Sequence, residues 1–203
     1  MHHPPDHSGN QLFPVFFRLD KLKLLIVGGG AVGLEKISAI LKNSSNAYIL
    51  VVAPEIKEEI KLLANQYPGL HLVYKPYDSS DLQDKDLVIA ATNIHDLNTQ
   101  VYQDAKEKRI LCNVADTPDI CDFYLSSVVK KGDLKIAIST NGKSPTFAKR
   151  MREMLEEILP EEIDSVLENL QLIRQQLKGD FESKVKKLDE ITSVMKGKPK
   201  SEE

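Results

Sequence analysis

Gly28, Gly30 and Gly33 carry the spacing that speaks most directly of chemistry. They break the apolar run Leu24-Leu-Ile-Val27 and open a stretch in which Leu34, Ile37, Ile40 and Leu41 recur at helical intervals. A glycine turn between a buried strand and a helix is a setting in which main-chain N–H groups hold phosphate. Gly28 permits the tight turn, Gly30 lets backbone approach a pyrophosphate, and Gly33 lets the helix pack close to the strand. The first-turn amides of Ala31, Val32 and Gly33 then face the anion, aided by the helix dipole. The turn predicts a dinucleotide site; its bland alternative is a glycine turn without a ligand.

Asp116 is the second candidate, in Cys112-Asn-Val-Ala-Asp-Thr-Pro118. It falls just past an apolar strand, where a nicotinamide ring would project, and a carboxylate there can take a proton as hydride leaves. Asp is equally suited to capping the turn at Thr117-Pro118, and position alone leaves both roles open. A third candidate is the loop Ser139-Thr-Asn-Gly-Lys-Ser-Pro145, which feeds a helix bearing Lys149, Arg150 and Arg152. Such a loop suits an anionic ligand, with Lys130 and Lys131 able to add to it; a solvated helix face is the alternative. His95 follows a strand end and ranks below Asp116. His2, His3 and His7 sit in a leader that looks irrelevant to chemistry.

These residues need elements to position them. Apolar strands are expected at 24–27, 48–52, 70–74, 87–91 and 110–114, with helices after Gly33, at 56–65 and at 97–108. Alternation of this kind implies a parallel sheet covered by helices on both faces, with ligands at the carboxyl ends of its strands. Those ends are residues 28–30, 53–55, 91–93 and 113–116, so Thr92 and Asn113 join the cofactor set. The second strand lacks the acid that usually holds an adenosine ribose about twenty residues after the glycines. It ends in Ala53-Pro54, with Glu55 one step late, so either Glu55 or backbone around Pro54 takes that role. With no Arg at this turn and Lys57 the nearest cation, NAD is favoured over NADP.

Beyond the fifth strand, 123–129 and 134–139 read as a hairpin turning at Lys131-Gly132-Asp133. Ser144-Pro145 then starts a helical run to about residue 196, broken at Pro160 and Gly179. Its amphipathic pattern is too thin for a core of its own and calls for packing on the sheet domain or a second subunit. The expected architecture is a Rossmann-like parallel α/β sheet domain (1–114), a small hairpin region that also serves the active site (115–144) and a C-terminal helical domain (145–203).

At 203 residues, with 41% apolar and 28% charged side chains, the composition is that of a soluble globular protein. A net charge of −3 gives no general attraction to nucleic acid or anionic membrane. There is no stretch approaching the roughly 20 apolar residues of a membrane span, and no basic-then-apolar leader. Cys112 and Cys121 lack zinc-site spacing and read as reduced and buried or half-buried, which with the missing leader predicts a cytoplasmic protein. His, Cys and acidic residues form no metal-ligand pattern.

In order along the chain, the sequence carries Phe13-Pro-Val-Phe16, Val27-Gly-Gly-Gly-Ala-Val-Gly33 with Lys36, Val52-Ala-Pro54, Ala90-Ala-Thr-Asn93, Leu97-Asn98, Cys112-Asn-Val-Ala-Asp116, Phe123 and the 139–145 loop. Over roughly residues 12 to 160 this resembles the precorrin-2 dehydrogenase family of sirohaem synthesis, some members of which are also ferrochelatases. The resemblance implies NAD-dependent oxidation of precorrin-2 to sirohydrochlorin, with the aspartate of Asn-Val-x-Asp, here Asp116, in catalysis. It implies a homodimer joined through the hairpin and helical tail. It also implies that Lys143, Ser144, Lys149 and Arg150, with Arg152, meet the carboxylates of the tetrapyrrole. Family members likewise lack the ribose acid. Where iron is inserted, Fe²⁺ is a co-substrate held by the macrocycle's own nitrogens. The methyltransferase module fused in some relatives is not expected here. Serines in Phe123-Tyr-Leu-Ser-Ser127 and Thr140 before Asn141 depart from the family pattern. Two rivals use a similar glycine turn: a non-catalytic dinucleotide-sensing domain and an adenosylmethionine-dependent methyltransferase. Both ordinarily keep the acid that Ala53-Pro54 replaces.

Overall fold

Strand β1 (Lys23–Gly29) is the centre of a five-stranded sheet whose remaining members are β2 (Tyr48–Ile56), β3 (Leu70–Tyr74), β4 (Leu87–Ala90) and β5 (Leu111–Val114). In the computed structural model, which describes residues 9–193, their order is β3-β2-β1-β4-β5 and each paired neighbour is parallel. The crossovers are helices α1 (Ala31–Asn43), α2 (Glu58–Gln66) and α3 (His95–Glu107), with a short 3₁₀ turn at Ser79–Leu82 between β3 and β4. This is the doubly wound arrangement, and its order reverses between β1 and β4.

The centre of β1, from Leu24 to Val27, and all of β4 are apolar and buried because both faces are covered. Leu24 and Ile26 pack with Ile37 and Ile40 of α1 and Ile60 of α2. Leu25 and Val27, pointing the opposite way, pack with Val101 and Ala105 of α3 and with Cys112 and Val114 of β5. Each fully buried Leu, Ile or Val contributes about 1.5–3 kcal/mol relative to exposure, so two such layers hold the strand ends firmly.

The second strand departs from expectation. It runs on past Val52 to Ile56, and Ile56 is a strand residue paired with Gly29 rather than the start of a helix. Val27 pairs with Val52 and Gly29 with Ile56, so residues 53–55 bulge opposite Gly28. A bulge is where proline, which has no N–H to donate, can sit inside a strand. Apolar periodicity could not show this, because the extension is carried by one isoleucine beyond Pro54 and Glu55.

The chain divides into two compact units, residues 1–127 with Ser139–Pro145, and residues 128–138 with 146–203. The second contains the hairpin of β6 (Ser127–Lys131, from Val128 on) and β7 (Leu134–Ile138), most of α4 (Pro145–Ile158), and all of α5 (Ile163–Gln176) and α6 (Phe181–Thr192). Residues 123–126, read as strand from sequence, precede β6 without joining it. Gly132 turns the hairpin at φ +52°, and a Cβ there would collide with the Asp164 carboxylate, which accepts from the Asp133 N–H at 2.7 Å. Lys131 is ion-paired to Glu161. Asp180 starts α6 by accepting from the Ser183 N–H at 2.9 Å. The leader histidines and the tail from residue 196 lie outside the described residues. Among the described residues, no helix is long and apolar enough to cross a membrane, and His, Cys and acidic groups form no metal-binding cluster.

Candidate active site

Gly28 lies at φ +125°, open to glycine and strained for other residues. A Cβ on it would come 2.3 Å from the Ala91 carbonyl oxygen at the end of β4. A Cβ on Gly33 would come 2.2 Å from the Gly28 carbonyl oxygen, which is why α1 can press against the turn. Gly30 differs: among the described residues nothing lies within 4 Å of a Cβ placed there. It precedes α1 with no side-chain cap, and the first turn of α1 holds no acid. The amides of Ala31, Val32 and Gly33 are therefore left to an external acceptor, while the cradle over Gly30 stays free. That combination fits a pyrophosphate.

Beside it, the bulge exposes Pro54 and Glu55. Lys57, the cation nearest in sequence, reaches Glu59 at 3.4 Å. Across the switch point, Thr92 is fixed by Asn98 of α3. The Asn98 Oδ1 accepts from the Thr92 N–H at 3.2 Å and from its Oγ1 at 2.7 Å, and Asn98 Nδ2 donates to the Thr92 carbonyl at 3.0 Å.

Asp116 closes the row of strand ends. It is exposed, sits at φ +59°, and its carboxylate has no hydrogen-bond or ion-pair partner among the described residues. A left-handed aspartate is uncommon and marks a turn or a functional position. The turn is closed without it: the Thr117 N–H donates to the Val114 carbonyl at 3.4 Å, and the Thr117 hydroxyl to the Ala115 carbonyl at 3.4 Å. The capping role open from sequence is thus filled by other groups.

The loop that presents Asp116 is braced from within. Cys121 Sγ accepts from the Val114 N–H at 3.2 Å and lies 3.3 Å from the Val114 and Thr117 carbonyls. Asp122 pairs with Cys112, its N–H donating to the Cys112 carbonyl at 2.8 Å and its Oδ2 accepting from the Cys112 N–H at 2.9 Å. Lys106 is ion-paired to Asp122, and the Tyr124 hydroxyl donates to the Pro118 carbonyl at 2.9 Å. Burial pushes the Cys112 thiol up to about 12 and raises that of Cys121, so both stay protonated at neutral pH. Asn113, expected at the cofactor, turns its amide inward and donates to the Phe123 carbonyl at 2.8 Å.

Residues 15–127 match the NAD(P)-binding family, and residues 131–158 match the central element of sirohaem biosynthesis proteins. The chain belongs to this NAD(P)-binding family. It is 37% identical over 173 residues to the siroheme synthase of Psychrobacter cryohalolentis, covering 85% of this chain and 32% of that protein. The siroheme synthase of Pseudoalteromonas translucida is 37% identical over 176 residues, covering 87% and 35%. The chain thus spans about a third of the length of these curated relatives. Among solved structures it resembles SirC, precorrin-2 dehydrogenase, with a TM-score of 0.71, 27% identity and 89% of each chain covered. A nicotinamide dinucleotide is the family's cofactor class, and the glycine turn, bulge and β4 end fit it.

The remaining predicted residues divide between the units. Lys143 and Ser144 belong to the first, in a loop where Asn141 and Gly142 are both left-handed and the Lys143 N–H donates to the Thr140 carbonyl at 3.1 Å. Thr140 Oγ1 accepts from the Ser144 N–H at 3.2 Å, while the exposed Lys143 side chain has no partner among the described residues. Lys149 and Arg150 belong to the second unit, on α4. Arg150 reaches Glu153 at 2.9 Å and Lys149 lies 3.9 Å from it, while Arg152 holds Glu156 at 2.6 Å. These are neighbouring-turn pairs of little individual worth at an exposed face. His95 is exposed at the start of α3. Asn98 and the brace at Cys121 were missing from the sequence-derived site. Asn98 was detectable in principle, as a polar residue in the buried stripe Asn98, Val101, Ala105 of α3.

Proposed function

We propose that this chain oxidises precorrin-2 to sirohydrochlorin, using NAD⁺ in preference to NADP⁺, within the synthesis of sirohaem. The observation that carries the chemistry is the left-handed Asp116, without a partner among the described residues, just past the end of β5 and at the carboxyl ends of the strands where the dinucleotide-binding turn also lies. Bound NAD⁺ supplies the hydride acceptor. Asp116 accepts the proton released from carbon as hydride departs, so NADH, a proton and the more oxidised macrocycle are the products. The preference for NAD⁺ is supported by the absence of arginine from the 53–57 segment and by the engagement of Lys57 with Glu59. Residues around Pro54 and Glu55 take the adenosine ribose, and Thr92 meets the cofactor at the end of β4.

Lys143, Ser144, Lys149 and Arg150 are the groups proposed for the substrate's carboxylates. Because Glu153 already engages Lys149 and Arg150, a polycarboxylate binds by displacing an internal rival. Replacing both by Ala should raise the apparent KM for precorrin-2 severalfold and leave kcat near normal; an unchanged KM returns them to a solvated helix face. The hairpin and helices are proposed as the homodimer interface. Large apolar side chains left exposed in that unit (Phe147, Met154, Ile158, Val166 and Leu172) support this, and sedimentation should read a dimer. Free thiols at Cys112 and Cys121 fit a reducing cytoplasm.

The experiment is anaerobic. Precorrin-2 and NAD⁺ are supplied, and the tetrapyrrole spectrum and NADH are followed together before and after Fe²⁺ is added as co-substrate. Sirohydrochlorin formed in step with NADH is the expected result. Metal-dependent conversion faster than the uncatalysed control adds ferrochelatase activity. Tight NAD⁺ binding without oxidation points instead to a dinucleotide-sensing domain.

A further inference from the structure

We infer that Asn98 is a positioning residue for the dinucleotide: it locks the peptide that the glycine turn leans on. The inference rests on the nicotinamide dinucleotide of the family and is independent of the tetrapyrrole.

The Ala91–Thr92 peptide follows β4 at the switch point. Its plane lies against Gly28, for a Cβ on Gly28 would meet Ala91 O at 2.3 Å, Ala91 C at 2.7 Å and Thr92 N at 3.1 Å. The same peptide's N–H donates to Asn98 Oδ1 at 3.2 Å. One face of the group is thus set by the glycine turn and its polar edge by the side chain of α3. The next peptide is held too, since Asn98 Nδ2 donates to the Thr92 carbonyl at 3.0 Å. Oγ1 of Thr92 lies 2.7 Å from Asn98 Oδ1 and accepts from the Ile94 N–H at 3.1 Å. Every polar atom of the Asn98 amide is therefore used on one residue.

Asn98 is only 5% exposed, one of two buried polar residues among those described, and the rest of its stripe on α3 is apolar. A residue of α3 needed only for packing has no use for an amide there, because burying an unpaired amide is costly. The three bonds instead fix the backbone between β4 and α3 where a cofactor must pass between the β1 and β4 ends. Asn98 does not itself reach the open cradle at Gly30; it acts through Thr92 and the peptide before it.

The test measures NAD⁺ dissociation constants on the full chain by calorimetry, with thermal melting alongside. Asn98→Leu keeps the volume and removes all three bonds, and should weaken NAD⁺ about tenfold. Asn98→Asp keeps an acceptor for the Thr92 N–H and Oγ1. It should melt lower than the parent, as a buried carboxyl does, yet bind within about threefold of it. If Asn98→Leu does not fold, Asn98→Ala replaces it with the same expectation. An Asn98→Leu affinity equal to the parent's overturns the inference, as does an Asn98→Asp affinity as poor as that of Asn98→Leu. Failure of the parent itself to bind NAD⁺ overturns the cofactor assignment as well, so the two failures are distinguishable.

Discussion

Asp116→Asn should bind NAD⁺ as the parent does and lose oxidation of precorrin-2 by about 10²- to 10⁴-fold, the usual worth of a positioned base. The substitution is clean for a structural reason. Residue 116 is left-handed at φ +59°, a conformation asparagine tolerates at least as well as aspartate and most other side chains adopt only under strain. The carboxylate bonds nothing among the described residues, and Thr117 closes the turn through its own N–H and hydroxyl. Exchange of one oxygen for an amide therefore removes the base and leaves the loop. Single-turnover NADH formation together with NAD⁺ affinity checks it; full turnover in the variant places the base elsewhere.

Two alanine substitutions three residues apart should part company. At Gly33 a Cβ would lie 2.2 Å from the Gly28 carbonyl, backbone against backbone, so neither side can yield. Overpacking of this sort costs about 1–3 kcal/mol and often more. Gly33→Ala should thus melt lower by roughly 2–12 °C for a chain of this size and lose the cofactor with its turn. At Gly30, φ is −86° and among the described residues nothing lies within 4 Å of a Cβ. Gly30→Ala should melt like the parent but lose the close approach of phosphate to the Ala31 and Val32 amides. A charge-assisted hydrogen bond is worth about 1.5–3 kcal/mol, so NAD⁺ should bind roughly ten- to a hundredfold more weakly. Melting curves and calorimetric titrations of both variants separate fold from cradle. Unweakened binding in a folded Gly30→Ala removes the pyrophosphate from that turn.

What could be read from sequence follows from how each residue acts. The strands around Leu24–Val27 and Val88–Ala90 were legible because both faces are buried, and unbroken apolar runs record that. Gly28, Gly30 and Gly33 were legible as a set, yet the distinction between two crowded glycines and one open one belongs to three-dimensional neighbours. Asp116 was placed correctly at a strand end, while the choice between capping and chemistry depended on which atoms close the turn. Asn113 shows the opposite limit: its position at the edge of β5 was plain, but the direction of its amide, toward Phe123, is set by a segment ten residues on. Asn98 left a trace as the polar member of the stripe Asn98, Val101, Ala105, whereas the thiol of Cys121, which serves the backbone of Val114 and Thr117, left none.

The division of the chain bears on its birth. The first unit takes residues up to Ser127 and then, after an excursion through the hairpin, residues Ser139–Pro145. Ser139 accepts from the Asn10 amide at 3.3 Å, so the latter piece is tied back to the very start of the described chain. During synthesis, which runs from the amino end, all five parallel strands emerge before this piece does. The sheet can close early, but the loop bearing Lys143 joins it only after both hairpin strands have left the ribosome. A nascent chain halted before Ser139 should therefore already hold the dinucleotide turn while lacking a completed first unit, and no single cut between residues 128 and 138 releases that unit as one continuous polypeptide.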